Sequence, residues 1–173
     1  MIEKNINKIK TMAKLSEKEN EWLLGAIESN LISFKNLDSL VKNYYEDIKN
    51  EIECDKCGEC CKSVIIIFEE NDVDRLASHL KIKRDNVLTK WFQKYEKFNC
   101  YVTNQLPCPF QKDGLCTVYK HRGTECREFP YLESMPFSEI YKYAFQGYAV
   151  CSFYYNIIEM LKNIPEFKYK KHE

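Results

Sequence analysis

Apolar positions recur at helical spacing in the first third of the chain and in short β-branched or alternating runs after it. Leu23 and Leu24, then Ile27, Leu31 and Phe34, recur at helical spacing behind Ser16 and Glu19 in capping-box register, which predicts a helix near 17–34. Asp38 is positioned to cap a second helix, where Leu40, Val41, Tyr44, Tyr45, Ile48 and Ile52 repeat and lead directly to Cys54. Residues 1–12 are polar and read as a partly frayed lead-in. The unbroken β-branched run at 63–68 (SVIIIF) predicts a buried strand. Asn71 or Asp72 would cap a short helix carrying Val73, Leu76 and Leu80, and Asp85 another with Val87, Leu88, Trp91, Phe92 and Tyr95 on its inner side. From Tyr101 to Val118 the pattern is one of short strands, with Asp113-Gly114 as a hairpin turn. Tyr141, Tyr143 and Phe145 alternate as in a strand, and residues 152–162 read as a closing helix.

The composition narrows the function classes. With 45% hydrophobic and 30% charged residues the 173-residue chain has the make-up of a folded globular protein, large enough for a real core. Lys+Arg and Asp+Glu number 26 each, so no net field attracts nucleic acid or anionic lipid, and neither is an expected partner. No stretch approaches the ~20 apolar residues of a membrane span. The N-terminus has no apolar h-region, so no secretory signal is expected and the location expected is cytoplasmic.

Cysteine changes the picture. All nine lie between Cys54 and Cys151. In a reducing compartment such a density points to thiolate–metal chemistry rather than disulfides. Cys54-Asp-Lys-Cys57-Gly-Glu-Cys60-Cys61 is the dense element; its two-residue gaps let a short loop curl sulfurs around a cation, with Gly58 free to take positive φ at the bend. Bacterial ferredoxins use C-x2-C-x2-C with a further Cys-Pro, and Cys108-Pro109 supplies a remote one here. Adjacent side chains diverge, so the Cys60–Cys61 pair implies either a second centre or a site larger than one zinc. Adding Cys108, Cys116, Cys126 and Cys151 gives eight thiolates, enough for two four-coordinate sites or for one cubane and a further site; a single centre with the rest buried is the alternative. Cys100 stands outside the pattern and reads as a small buried hydrophobe. The expected fold is α+β: a small metal-nucleated domain over 54–165 with a minor sheet and flanking helices, an N-terminal helical extension over 1–53, and a basic tail over 166–173.

These residues carry a resemblance. CDKCGECC at 54–61, PCPF at 107–110, DGLCTVY at 113–119, Arg122 with CREFP at 126–130, and Cys151 resemble in order the YkgJ family of cysteine-cluster proteins, which are described as zinc- or iron-chelating. Residues 1–53 lie outside it. Gly123 replaces the proline usual after the arginine, and Ser152-Phe153 replace a usual Pro-Gly; neither position is a sulfur. The resemblance implies a cytoplasmic protein with eight metal-directed cysteines and little about a reaction. Flagellin lysine methylases carry a similar cysteine block, which adds an S-adenosylmethionine-dependent protein-lysine methyltransferase as an alternative. The main expectation is a 4Fe-4S protein with an electron-transfer role; a structural zinc module that docks a protein partner is the other alternative.

Around the cysteines, Arg127 is the candidate for N–H···S contacts that would offset the charge of a thiolate-wrapped centre. His121 could replace a thiolate, though eight cysteines do not need it, His79 reads as a plain surface or half-buried histidine, and His172 lies in the tail. Tyr141, Tyr143, Tyr148, Phe153, Tyr154 and Tyr155 read as a core around the metal, with a substrate slot or stacking platform as the alternative, and FKYKKH at 167–172 as a solvated end. No GxGxxG, P-loop, HExxH or GxSxG motif is present, and the two-residue cysteine gaps are not the CxxxCxxC of radical enzymes.

Overall fold

The computed structural model describes residues 2–170, an α+β arrangement of ten helices and two small antiparallel sheets that divides into two compact units. One unit comprises residues 53–129; the other combines 1–52 with 130–173. The segment after residue 129 thus shares a unit with the N-terminal helices, whereas the linear reading groups residues up to 165 with the cysteines. No helix among the described residues is long and apolar enough to cross a membrane.

The helical unit is built on α1 (Ile6–Leu15), α2 (Glu17–Glu28), α3 (Phe34–Ile48), α9 (Phe137–Gln146) and α10 (Ser152–Lys162). Residues 6–15 are an ordered helix rather than a frayed lead-in, because the Asn5 side chain accepts from the amides of Asn7 and Lys8 and Ile9 is fully buried. The Ser16 capping box does not form; Ser16 is buried and its hydroxyl bonds to Tyr148. Helix α2 stops at Glu28, with Asn30 in the left-handed region, so Leu31 and Phe34 are exposed instead of continuing the buried stripe of Leu23 and Ile27. Ser33, not Asp38, caps α3, and Asp38 instead accepts from the Ser138 amide (2.7 Å) and hydroxyl (2.8 Å) at the start of α9. The strand expected at 141–145 is part of α9. Phe137, Ile140 and Ala144 are buried at helical spacing there, and the tyrosine alternation runs across exposed Tyr143. Helix α10 matches its expected limits and buries eight of its eleven residues, among them Phe153, Tyr154 and Tyr155, which are core aromatics of the helical unit rather than of a core around the metal in the cysteine unit. Phe167 at the start of the expected solvated tail is buried, and its carbonyl accepts from the Trp22 indole (3.2 Å). His172 lies outside the described residues.

The cysteine unit carries shorter elements: α4 (Cys54–Cys57), α5 (Cys60–Ser63), β1 (Ile67–Phe68), α6 (Glu70–Leu80), α7 (Arg84–Trp91), β2 (Phe92–Tyr95), β3 (Cys100–Thr103), β4 (Gln111–Lys112), β5 (Leu115–Cys116) and α8 (Thr124–Glu128). The run expected as a strand over 63–68 is paired only at Ile67 and Phe68, opposite Val102 and Tyr101. Strand β3 is central in the order β1-β3-β2. Glu69 caps α6, in a reciprocal capping box with Asp72. Lys83, not Asp85, precedes α7. The Asp113-Gly114 turn joins β4 to β5 as expected, with both residues at positive φ. One apolar cluster, including Ile66, Phe68, Leu76, Phe92, Phe110 and Val118, fills this unit.

Candidate metal centre

The cysteine run folds as two single helical turns hinged at Gly58. This residue takes φ 60°, and a side chain there would collide with the Gly114 carbonyl in the β4–β5 turn. The Gln111 side-chain amide donates to the Gly58 carbonyl (2.5 Å), which fastens the hinge to the same hairpin. At the end of the run the Cys108 amide donates to the Cys61 carbonyl (2.7 Å), and the Gln111 amide to the Cys108 carbonyl (2.9 Å). Gln111 lies directly across from Cys116 in the β4–β5 ladder. Residues far apart in sequence are thereby brought beside Cys61.

Cys126 arrives on α8 through a separate tie. The buried Asp72 carboxylate accepts from the Thr124 amide (3.0 Å), the Thr124 hydroxyl (2.9 Å), the Glu69 amide (3.2 Å) and Arg75 (2.6 Å). Arg75 also donates to the Arg122 carbonyl (3.0 Å). The start of α6 therefore fixes the loop that carries Arg122 and Cys126. Asp72 is legible in the sequence only as a local cap; its 52-residue reach to Thr124 leaves no mark there.

Cys108, Cys116 and Cys126 pack partly buried against the apolar cluster. Burial pushes the Cys126 thiol up to about 12, with Cys108, Cys61 and Cys116 adding repulsion and Arg122 opposing it. Cys108 is pushed up to about 11, again by burial, with Cys61 and Cys116 adding to it. Cys116 is raised by burial too. Cys61 runs the other way, down to about 7, first because the Cys60 thiol donates to its sulfur, with Arg122 assisting. Cys54, an exposed residue, is raised by partial desolvation of its thiol and by Cys57, with Arg122 opposing. The three partly buried thiols raised in this way, Cys108, Cys116 and Cys126, are poor free thiolates and good ligands, since a cation removes the penalty that burial imposes.

Arg122 is the cation common to Cys54, Cys61, Cys116 and Cys126. Its guanidinium carbon lies 3.7 Å from the Tyr119 ring centroid, and its Nε is buried with no hydrogen-bond partner among the described residues. Arg127, the residue expected to serve the sulfurs, is exposed and donates to the Arg122 carbonyl (3.3 Å) and the Thr124 hydroxyl (3.0 Å). His121 stacks on His79 at 3.9 Å and is lowered by burial, by His79 and by nearby cations. Cys100 is buried in β3. Cys151 precedes α10 in the helical unit and is buried there. Among the described residues no three His, Cys, Asp or Glu side chains are already closed around one point. The donor chemistry nevertheless fits a thiophilic metal: sulfur is the gathered atom, and a buried N–H on Arg122 lacks an acceptor beside it.

A family model described as "CxxCxxCC: Putative zinc- or iron-chelating domain" matches residues 53–163. No curated protein and no solved structure matches the chain.

Proposed function

The chain belongs to the CxxCxxCC family, and from that premise we propose that its cysteine unit holds an iron–sulfur cluster of the 4Fe-4S type, in a cytoplasmic protein suited to electron transfer. The observation that carries this reading is that Cys54, Cys57, Cys60, Cys61, Cys108, Cys116 and Cys126 share one compact unit, whose two histidines, His79 and His121, stack on each other. Thiolates alone hold cubane clusters and structural zinc alike, and the C-x2-C-x2-C spacing with a remote Cys108-Pro109, the ferredoxin pattern, is what favours the cluster. When bound, such a cluster supplies a one-electron couple. The protein's part is to present thiolates, to exclude water by packing Cys108, Cys116 and Cys126 on the apolar cluster, and to set the Arg122 guanidinium against the excess negative charge. A reducing compartment keeps these thiols available.

The test is metal and sulfide analysis with visible absorption on anaerobically purified protein. Iron with acid-labile sulfide and a broad band near ~400 nm is the expected result. Colourless protein carrying zinc would overturn the cluster and leave a closed structural site.

A further inference from the structure

Strand β1 is an edge in the order β1-β3-β2. Its extended stretch is longer than the two paired residues, since Val64 and Glu69 on either side both have extended backbone. Beyond the β1–β3 ladder, no backbone hydrogen bond joins residues 65–68 to another described segment. The side chains alternate: Ile66 and Phe68 are buried in the apolar cluster, whereas Ile65 is 56% and Ile67 36% exposed. A Cβ on Gly123 would stand 3.2 Å from the Phe68 ring, so the approach to α8 lies on the buried face and leaves the edge open. Folded proteins blunt open edges with charge or proline. The opposite edge, β2, carries Lys94, paired with Glu96 (3.3 Å). The run at 63–68 has no charge, proline or glycine.

We propose that this edge pairs antiparallel with the same edge of a second copy of the chain, joining two sheets across a twofold axis. Such a pairing is self-complementary, and it satisfies the free backbone groups of both strands at once. With Ile66 opposite its own copy, Ile65 of each chain stands against Ile67 of the other on one face, so the exposed isoleucines close into a shared ridge. The charges that frame the run select a second copy as the occupant. Lys62 stands at one end, and Glu69 and Glu70 at the other. Antiparallel pairing brings the Lys62 end of each chain to the Glu69–Glu70 end of its partner, twice by symmetry. A parallel arrangement would set like charges together. Lys62 is exposed and bonds to Glu59 (3.0 Å), with further N–H donors on its ammonium for a second carboxylate. At the other end Arg84 is shared between Glu70 and Asp74, so with Glu69 the carboxylates there outnumber the guanidinium. No cysteine takes part, so the pairing is independent of which metal the chain holds.

The experiment is sedimentation of the full metal-loaded chain over a range of concentrations, under anaerobic reducing conditions so that disulfide-linked species do not contribute. A strand of this length is a small interface against the ~800 Å² per partner of a standard complex, so association should rise with concentration towards twice the monomer mass. Ile65→Lys places a charge in the ridge and should leave monomer at every concentration, with metal equivalents per chain unchanged. Lys62→Glu sets like charges at both ends and should weaken association several-fold at low salt, the difference shrinking as salt is added. Tyr143→Lys, at an exposed aromatic on α9, should associate as the wild type does. Wild-type protein that stays monomeric up to about 1 mM overturns the proposal. So does a dimer that persists in Ile65→Lys, or one lost in Tyr143→Lys. Should Ile65→Lys precipitate, Lys62→Glu decides: association as strong as the wild type's at low salt overturns the antiparallel pairing.

Discussion

The helical unit and the cysteine unit use their buried positions in opposite ways. Helix α10 buries eight of its eleven residues, including Tyr154, Ile157, Ile158 and Leu161 at or near zero exposure. In the cysteine unit α4 and α5 are four residues long, α8 is five, and the strands run two to four. Isolated helices shorter than ~12 residues are marginal in water, so such pieces need ties from outside themselves. Here the ties are Asp72, Gln111, the Cys61–Cys108 backbone hydrogen bond and a half-buried group of thiols. One unit is organised by apolar area alone; the other has its own apolar cluster but sets half-buried thiols against it, which a bound metal would complete.

The largest effect that follows is metal removal. Stripping metal anaerobically should cost the cysteine unit on the order of 10 kcal/mol, the scale of structural thiolate sites. Amide exchange should rise across 54–61 and 108–126 while α10 keeps its protection. Equal loss of protection in both units would erase the contrast.

The reverse experiment perturbs the apolar side. Ile157→Ala, at a position with no exposure, should destabilise the helical unit by about 2–5 kcal/mol through lost transfer energy and the cavity left behind. Denaturant melts followed by circular dichroism measure this, and metal per folded chain should not change. A drop in metal content in the folded variant would mean that the helical core supports the ligands.

How far the sequence foretells these differences depends on the range of the interactions. Helix α10 and the Asp113-Gly114 hairpin are legible because apolar period and turn chemistry are local. Helix α9 is misread because Tyr141, Tyr143 and Phe145 alternate by chance while its true stripe, Phe137, Ile140 and Ala144, is sparse. Ser16 and Asp38 have the residue types of caps, yet their oxygens serve Tyr148 and Ser138, partners no local window contains. The cysteines themselves are plain from spacing, whereas which of them stand together depends on the Cys61–Cys108 hydrogen bond across 47 positions of chain. Arg122 rather than Arg127 faces the sulfurs because the turn after Tyr119 folds its guanidinium over that ring.

A smaller effect isolates the Asp72 tie. Burial alone would raise its pKa, but the Thr124 amide and hydroxyl, the Glu69 amide and Arg75 together hold it below the usual carboxylate value. A folded-state pKa below the unfolded one means that the stabilisation is fully present above the unfolded value near ~3.9 and is lost as pH falls through the folded one. Asp72→Asn should therefore cost about 1–3 kcal/mol at neutral pH by leaving donors poorly matched, and the gap to the wild type should narrow in acid. A gap that stays constant from neutral pH to below the folded pKa would show that the carboxylate charge contributes nothing.

The smallest effect tests whether the units melt together. Gly25 lies in the interior of α2, exposed, with no atom within 4 Å of where a Cβ would stand. Alanine fits that space without strain and narrows the unfolded ensemble, so Gly25→Ala should stabilise the helical unit by about 0.4–1 kcal/mol. Because the gain acts through backbone entropy, it touches no sulfur and no metal tie. Exchange measured on holo protein should then show slower opening in α2 and α10, with 54–61 and 108–126 unchanged, as befits separately stabilised units. Equal slowing in the cysteine unit would mean that both open in one cooperative step, and that the difference in how they are held is one of composition rather than of stability.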